Sequence, residues 1–194
     1  DVPQPTEGEI GFLLDVINGV LEDPVVRSHV VGSYAGLRPL LDTEGRTADI
    51  SREHAVLTSP EGVVTIIGGK LTTYRQMAED ALDAALANRG IGARPCSTKS
   101  LPLVGAGDTS GLTDSGVPAR FIRRYGVEAA TVAADPSMLE PINDSIPVTP
   151  AELRWGVENE GALDVDDLLD RRTRIGLVPA DRAKALPFAE AALS

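Results

Sequence analysis

A single cysteine, Cys96, is all the sequence holds, so no disulfide can form within the chain and a reducing, cytosolic setting is expected. Next to Pro95 that thiol reads as a spectator and not as a nucleophile. Basic residues are outnumbered: the formal net charge of −11 argues against a nucleic-acid partner, which would need a basic face. It also argues against simple electrostatic docking on anionic lipid. No run approaches the roughly 20 apolar residues that a transmembrane helix requires. The opening DVPQPTEGEI lacks the character of a signal peptide. The two histidines, His29 and His54, and Cys96 show no metal-ligand spacing, so no metal site is expected. Aromatic residues are scarce, but apolar content as a whole is ordinary, and 194 residues can bury a core in one domain or two small ones.

What is present is a mixed pattern that becomes all helical. Thr6-Glu7-Gly8-Glu9 has the acidic residues of a helix start, and Ile10, Leu13, Leu14, Ile17 and Leu21 follow at helical spacing. The β-branched stretch from Val25 to Leu41 predicts a strand ending at Gly36-Leu37-Arg38-Pro39. A polar loop, DTEGRTADI, comes next. SREHAVLTS and GVVTIIGG predict two strands of a hairpin around Ser59-Pro60-Glu61-Gly62. A helix after Gly69 runs to about Arg89, with Met77, Ala81, Leu82, Ala85 and Leu86 as its buried stripe. The Gly- and Pro-bearing stretch NRGIGARPCSTKSLPLVGAGDTSG reads as a linker. Beyond it only helical signals occur, over about 118–125, 127–135, 150–159, 165–176 and 181–193. Thr149-Pro150 is a strong start signal: a threonine N-cap with proline at N1. The fold class is therefore α+β, a mixed piece followed by a small all-α domain.

One segment carries chemistry. IIGGKLTTYRQMAEDAL runs from a strand through Gly68 and Gly69 into Lys70 and a helix. Two glycines let the backbone approach a ligand closely. A helix N-terminus offers unpaired N–H groups and a dipole that favours negative charge. Lys70 adds a full positive charge, and Thr72 and Thr73 can donate hydroxyls or cap the helix. The turn suits a phosphate, a carboxylate or a flavin carbonyl oxygen. It is equally compatible with a tight connection whose lysine is solvated. It is neither a P-loop nor a GxGxxG fingerprint. Arg38, at the end of the earlier predicted strand, can share a sheet edge with Lys70, and Arg52 stands at the hairpin start. Such a cluster of cations fits a small phosphorylated or carboxylated substrate.

AGLRPLL, SREHAV and IIGGKLTTYRQMAEDAL, in that order and spacing, resemble the C-terminal half of FAD-dependent glycerol-3-phosphate dehydrogenases. EIGFLLDVING resembles the helix before them, and TPAELRWGVENEGALDVDDLLDRRTRIGL the helical domain that closes those enzymes. The resemblance implies a C-terminal fragment of a flavoprotein. Residues 1–95 would be the end of an amine-oxidase-like FAD and substrate domain, 96–111 a linker, and 112–194 the helical C-terminal domain. The family's dinucleotide-binding unit is not in this sequence, since no GxGxxG follows a strand, and the fragment alone is expected to be inactive and not to retain FAD.

The resemblance also implies the roles. Gly68, Gly69, Lys70, Leu71 and Thr72 would approach the flavin. Arg38 and Lys70 would be catalytic and bind glycerol 3-phosphate, with Arg52 as a further phosphate contact. His54 would be structural. Electrons would pass from glycerol 3-phosphate to flavin and then to a quinone, or to oxygen in oxidase relatives. The location implied is cytoplasmic or peripheral at the inner face of the membrane, and self-association is allowed.

A competing reading makes the tail a non-catalytic interaction or oligomerisation module. Leu153, Trp155, Val157, Leu163, Val165, Leu168 and Leu169 could form a closed core or a sticky face, and core is expected because a small domain needs its leucines inside. The Arg171-Arg172-Thr173-Arg174 cluster is expected to be a solvated helix end.

Overall fold

The computed structural model describes residues 2–37 and 54–194. They are mostly helical, with one small two-stranded sheet. Two compact units form, one from Asp1–Ala35 with Leu103–Ser194 and the other from Gly36–Pro102.

The first unit begins with α1 (Glu7–Asn18). Its start is fixed by a capping box: the Glu9 amide donates to Thr6 Oγ1 (3.3 Å), and the Thr6 amide donates to Glu9 Oε2 (2.8 Å). Only Ile10 of this helix is buried, while Phe12, Leu13, Val16 and Ile17 face outward. The Asn18 amide brackets Val25, accepting from its N–H (2.8 Å) and donating to its C=O (2.9 Å). No strand forms between Val25 and Leu37: a 3-10 turn at Arg27–His29 is followed by irregular backbone. β-branched residues favour a strand only when a neighbouring strand completes the ladder, and among the described residues no strand pairs with this stretch.

The helical part of this unit contains α3 (Ser110–Thr113), α4 (Ala119–Tyr125), α5 (Ala129–Val132), α6 (Pro150–Asn159), a π-helical turn (Asp167–Arg172) and α7 (Pro179–Leu193). Thr149 caps α6 with Pro150 at N1, as its sequence predicts. One core gathers Ile146, Val148, Leu153, Leu168, Leu169, Ile175, Ala185 and Ala189 from the segment before α6, α6 itself, the π-helical turn, the 3-10 turn after it and α7. A second packs Phe121, Tyr125, Ala129 and Val132 against Ala151, with Trp155 edge-on to Tyr125. Leu153, Leu168 and Leu169 are fully buried, so the leucines make a core, and Leu163, 85% exposed, is the exception.

The second core closes on a buried carboxylate. Glu152 has no exposed side-chain surface. It pairs with Arg120, lies 3.5 Å from Arg124 Nε, accepts the Tyr125 hydroxyl (3.3 Å) and accepts the Thr149 amide (3.0 Å) as part of the α6 capping box. Burial, with the Glu152 charge next to it, pushes the Tyr125 phenol well above its ordinary range, so it stays protonated and donates.

In the second unit, β1 (His54–Thr58) and β2 (Val64–Gly68) pair antiparallel, with His54 opposite Gly68 and Thr58 opposite Val64. The hairpin turn is Ser59–Gly62, closed by the Gly62 amide on the Ser59 carbonyl (2.9 Å). α2 (Tyr74–Asn88) lies on this hairpin. Met77, Asp80, Ala81, Ala84 and Ala85 turn toward partial burial. Leu82, expected inside, is 59% exposed, because it falls off the stripe set by Met77, Ala81 and Ala84. Among the described residues of this unit none is fully buried.

No helix among the described residues is long and apolar enough to cross a membrane, and none of their histidines, cysteine or carboxylates cluster as metal ligands.

Candidate functional site

β2 ends at Gly68, and the chain enters α2 through Gly69, Lys70 and a 3-10 turn at Leu71–Thr73. Gly68 and Gly69 both have positive φ, +79° and +77°, a region that disfavours any side chain. Gly69 is also closed in from the inside: a Cβ there would lie 2.5 Å from Met77 Sδ and 3.2 Å from His54 Cβ. The two glycines fold the backbone back from the strand so that the helix begins directly over the hairpin's end.

Lys70 is the N-cap, in extended conformation. Its carbonyl accepts the Thr73 amide (2.9 Å). The Thr73 hydroxyl accepts from the Lys70 amide (3.0 Å) and lies 2.9 Å from the Lys70 carbonyl as a donor. Thr73, not Thr72, is thus the residue that ties the turn. The amides of Leu71 and Thr72 occupy the first two positions of the turn, where a helix offers no internal acceptor. Lys70, Leu71 and Thr72 are all exposed, and Leu71 is 88% exposed despite its apolar side chain. The turn therefore presents two N–H donors, an ammonium with no ion-pair partner among the described residues and an open apolar side chain in three consecutive residues.

Behind the turn lies a polar tie that the sequence alone did not single out. His54 Nε2 lies 2.6 Å from Asp80 Oδ2, and Gln76 Nε2 donates to Asp80 Oδ1 (2.7 Å). The Gln76 amide, then His54, hold the Asp80 carboxyl below the usual carboxylate range. Gln76 and Asp80 are one helical turn apart, which is the available signal. The His54 partner is 26 residues away, beyond any local pattern.

Of the residues singled out from the sequence, Gly68, Gly69, Lys70, Leu71 and Thr72 are brought together at this turn. Arg38 and Arg52 lie outside the described residues, as does the polar loop 42–50. In the other unit a cleft of about 570 Å³ is lined by Arg123, Arg124, Trp155, Asn159 and Glu160. Its Arg124 is already engaged by Glu152 and the Arg172 carbonyl, and Glu128 and Glu160 balance the cations, so its chemistry is weaker than that of the turn. In the Arg171–Arg174 cluster, Arg171 pairs with Asp167 and Arg172 donates to the Glu160 carbonyl.

The chain thus joins a glycine turn with exposed backbone donors and a lysine to a closed helical bundle. Residues 96–192 match the family described as the C-terminal domain of alpha-glycerophosphate oxidase, and the chain belongs to that family. It is 52% identical to glycerol-3-phosphate dehydrogenase 1 of Mycobacterium tuberculosis (strain ATCC 25618 / H37Rv), over all of this chain and 40% of that protein. It is 38% identical to glycerol-3-phosphate dehydrogenase 2 of the same organism, over 90% of this chain and 33% of that protein. The mitochondrial glycerol-3-phosphate dehydrogenase of Mus musculus is 35% identical over 95% of this chain and 28% of its own length. The chain thus spans about two fifths or less of these relatives.

Proposed function

We propose that the chain is the C-terminal part of an FAD-dependent glycerol-3-phosphate dehydrogenase. In this reading residues 1–95 close the flavin and substrate domain, 96–111 link, and 112–194 form the helical domain. The observation that carries the reading is the Leu71–Thr72 turn. Two backbone donors stand beside an open leucine and a lysine, and a fused-ring cofactor with carbonyl oxygens on one edge fits all of them. The names of the three relatives support the substrate.

The Leu71 and Thr72 amides would hold a ring carbonyl oxygen, where the helix dipole stabilises developing negative charge. Leu71 would lie against the ring and exclude water. Lys70 would hold an oxygen of glycerol 3-phosphate next to the ring, and Arg38 would grip its phosphate or polarise its C2 hydroxyl, with Arg52 as a second phosphate contact. FAD, when bound, would supply the redox chemistry, a two-electron oxidation of glycerol 3-phosphate to dihydroxyacetone phosphate with a quinone as the final electron acceptor. The dehydrogenase names of the relatives favour a quinone over oxygen as acceptor. A quinone acceptor would draw the enzyme to the inner face of the membrane from the cytoplasmic side.

The test is Arg38→Ala in the enzyme that carries this chain. Turnover with glycerol 3-phosphate should fall by the equivalent of about 1.5–3 kcal/mol, the worth of a charge-assisted contact, while FAD content holds. Arg38→Lys should also be impaired, since an ammonium lacks the guanidinium fork. Unchanged turnover and Michaelis constant in both variants would refute the assignment.

A further inference from the structure

We propose that His54 and Asp80 are a positioning pair that sets where the Leu71 and Thr72 donors stand, an inference that rests on the flavin-site reading above. The turn is gripped from both sides. On the strand side, His54 sits directly opposite Gly68 in the β1–β2 register, and its Cβ closes over Gly69. On the helix side, Met77 packs its sulfur against Gly69, and Asp80 follows one turn later. The 2.6 Å link from His54 Nε2 to Asp80 Oδ2 joins the two sides. The His54 side chain is 19% exposed and the Asp80 side chain 38%, so the link is sheltered on its histidine side and open to water on its carboxylate side.

The link does not stand alone. Gln76 donates to the other Asp80 oxygen, and Arg75 donates to the Gln76 carbonyl oxygen, which fixes the amide's orientation. Arg75 also pairs with Glu79 and donates to Thr98 Oγ1 (3.3 Å). The Asp80 carboxylate is therefore held from two directions and cannot swing without releasing a partner. Because α2 carries the donor turn at its N-terminus, any slide of α2 along β1 moves the Leu71 and Thr72 amides with it. His54 and Asp80 are tied to each other across the strand and the helix. Their action on a bound ring is through the backbone.

The test uses Asp80→Ala and His54→Leu in the flavin-loaded full-length enzyme, with Asp80→Asn as the conservative variant and Gln76→Ala as a milder exposed change. Asp80→Ala and His54→Leu should shift the flavin absorption band and midpoint potential. They should slow flavin reduction by glycerol 3-phosphate about 10- to 100-fold, the scale of a misplacement near 1 Å. The Michaelis constant should change by less than the reduction rate, because Lys70 moves with the turn while the proposed phosphate contacts Arg38 and Arg52 belong to other segments. Asp80→Asn keeps a side chain that can bridge Gln76 and His54 and should restore most of the wild-type spectrum and rate. Gln76→Ala should move both in the same direction by less. Wild-type spectrum, potential and reduction rate in folded Asp80→Ala and His54→Leu would overturn the proposal. If those two fail to fold, an unchanged spectrum and potential in Gln76→Ala would overturn it. A wild-type enzyme with no flavin, or with flavin that glycerol 3-phosphate does not reduce, would instead refute the site reading, and the pair's role would fall with it.

Discussion

Glu152 is the residue on which the helical unit depends most. Its carboxylate is enclosed, yet it meets Arg120, Arg124, the Tyr125 hydroxyl and the Thr149 amide at once. Removing it strands two arginines and an N-cap together. Glu152→Ala should cost about 2–4 kcal/mol, somewhat less than breaking a wholly enclosed pair because both arginines are about a third exposed. Urea unfolding of the 194-residue chain would measure it, and a change under about 0.5 kcal/mol, the scale of an ordinary surface substitution, would contradict the assignment. Tyr125 gives a pH test with a definite sign. Its folded-state pKa is raised, so its contribution is fully present below the ordinary value of 10.0 and is lost as pH rises above it. Stability should therefore fall beyond about pH 10, and less so in Tyr125→Phe, which cannot ionise. An equal fall in both proteins would exclude Tyr125 as the cause. At this scale the sequence was partly legible. Gly68, Gly69 and Lys70 announce themselves by type and order. Asp80 and Glu152 do not, because their partners His54 and Arg120 lie 26 and 32 positions away and meet them only in the folded chain.

At the scale of elements, what could be read was whatever is encoded locally. The α6 start is written in Thr149-Pro150, and the structure adds a capping box that Glu152 closes. Thr149→Ala should destabilise the helical unit by about 1 kcal/mol, seen as a lowered urea midpoint with unchanged slope. Thr149→Ser should recover most of the loss, and an Ala variant as stable as wild type would show that Pro150 and packing alone fix the start. The hairpin was legible for the same reason, since Ser59-Pro60-Glu61-Gly62 makes its own turn. The strand expected from Val25 to Leu41 was not legible correctly. β-branched composition describes a surface that wants a partner, and among the described residues none pairs with 25–37. Leu82 fails similarly: a helical period identifies a face, but the hairpin covers only part of it.

At the scale of the molecule, the two units differ in how far they close. Among the described residues every fully buried side chain belongs to Asp1–Ala35 with Leu103–Ser194, whereas the hairpin and α2 bury nothing completely. A two-stranded sheet with one helix, which is what the described residues of that unit form, is marginal by itself. The proposed role of this turn is at the flavin of a glycerol-3-phosphate dehydrogenase. The direct measurement is anaerobic mixing of the full-length enzyme with glycerol 3-phosphate while flavin absorbance is followed, for wild type and Lys70→Ala. Flavin is expected in both proteins, with rapid bleaching in the wild type and bleaching slowed about tenfold or more in Lys70→Ala, the loss expected for one charge-assisted contact. Equal bleaching rates at every substrate concentration, or a wild-type protein without reducible flavin, would contradict it.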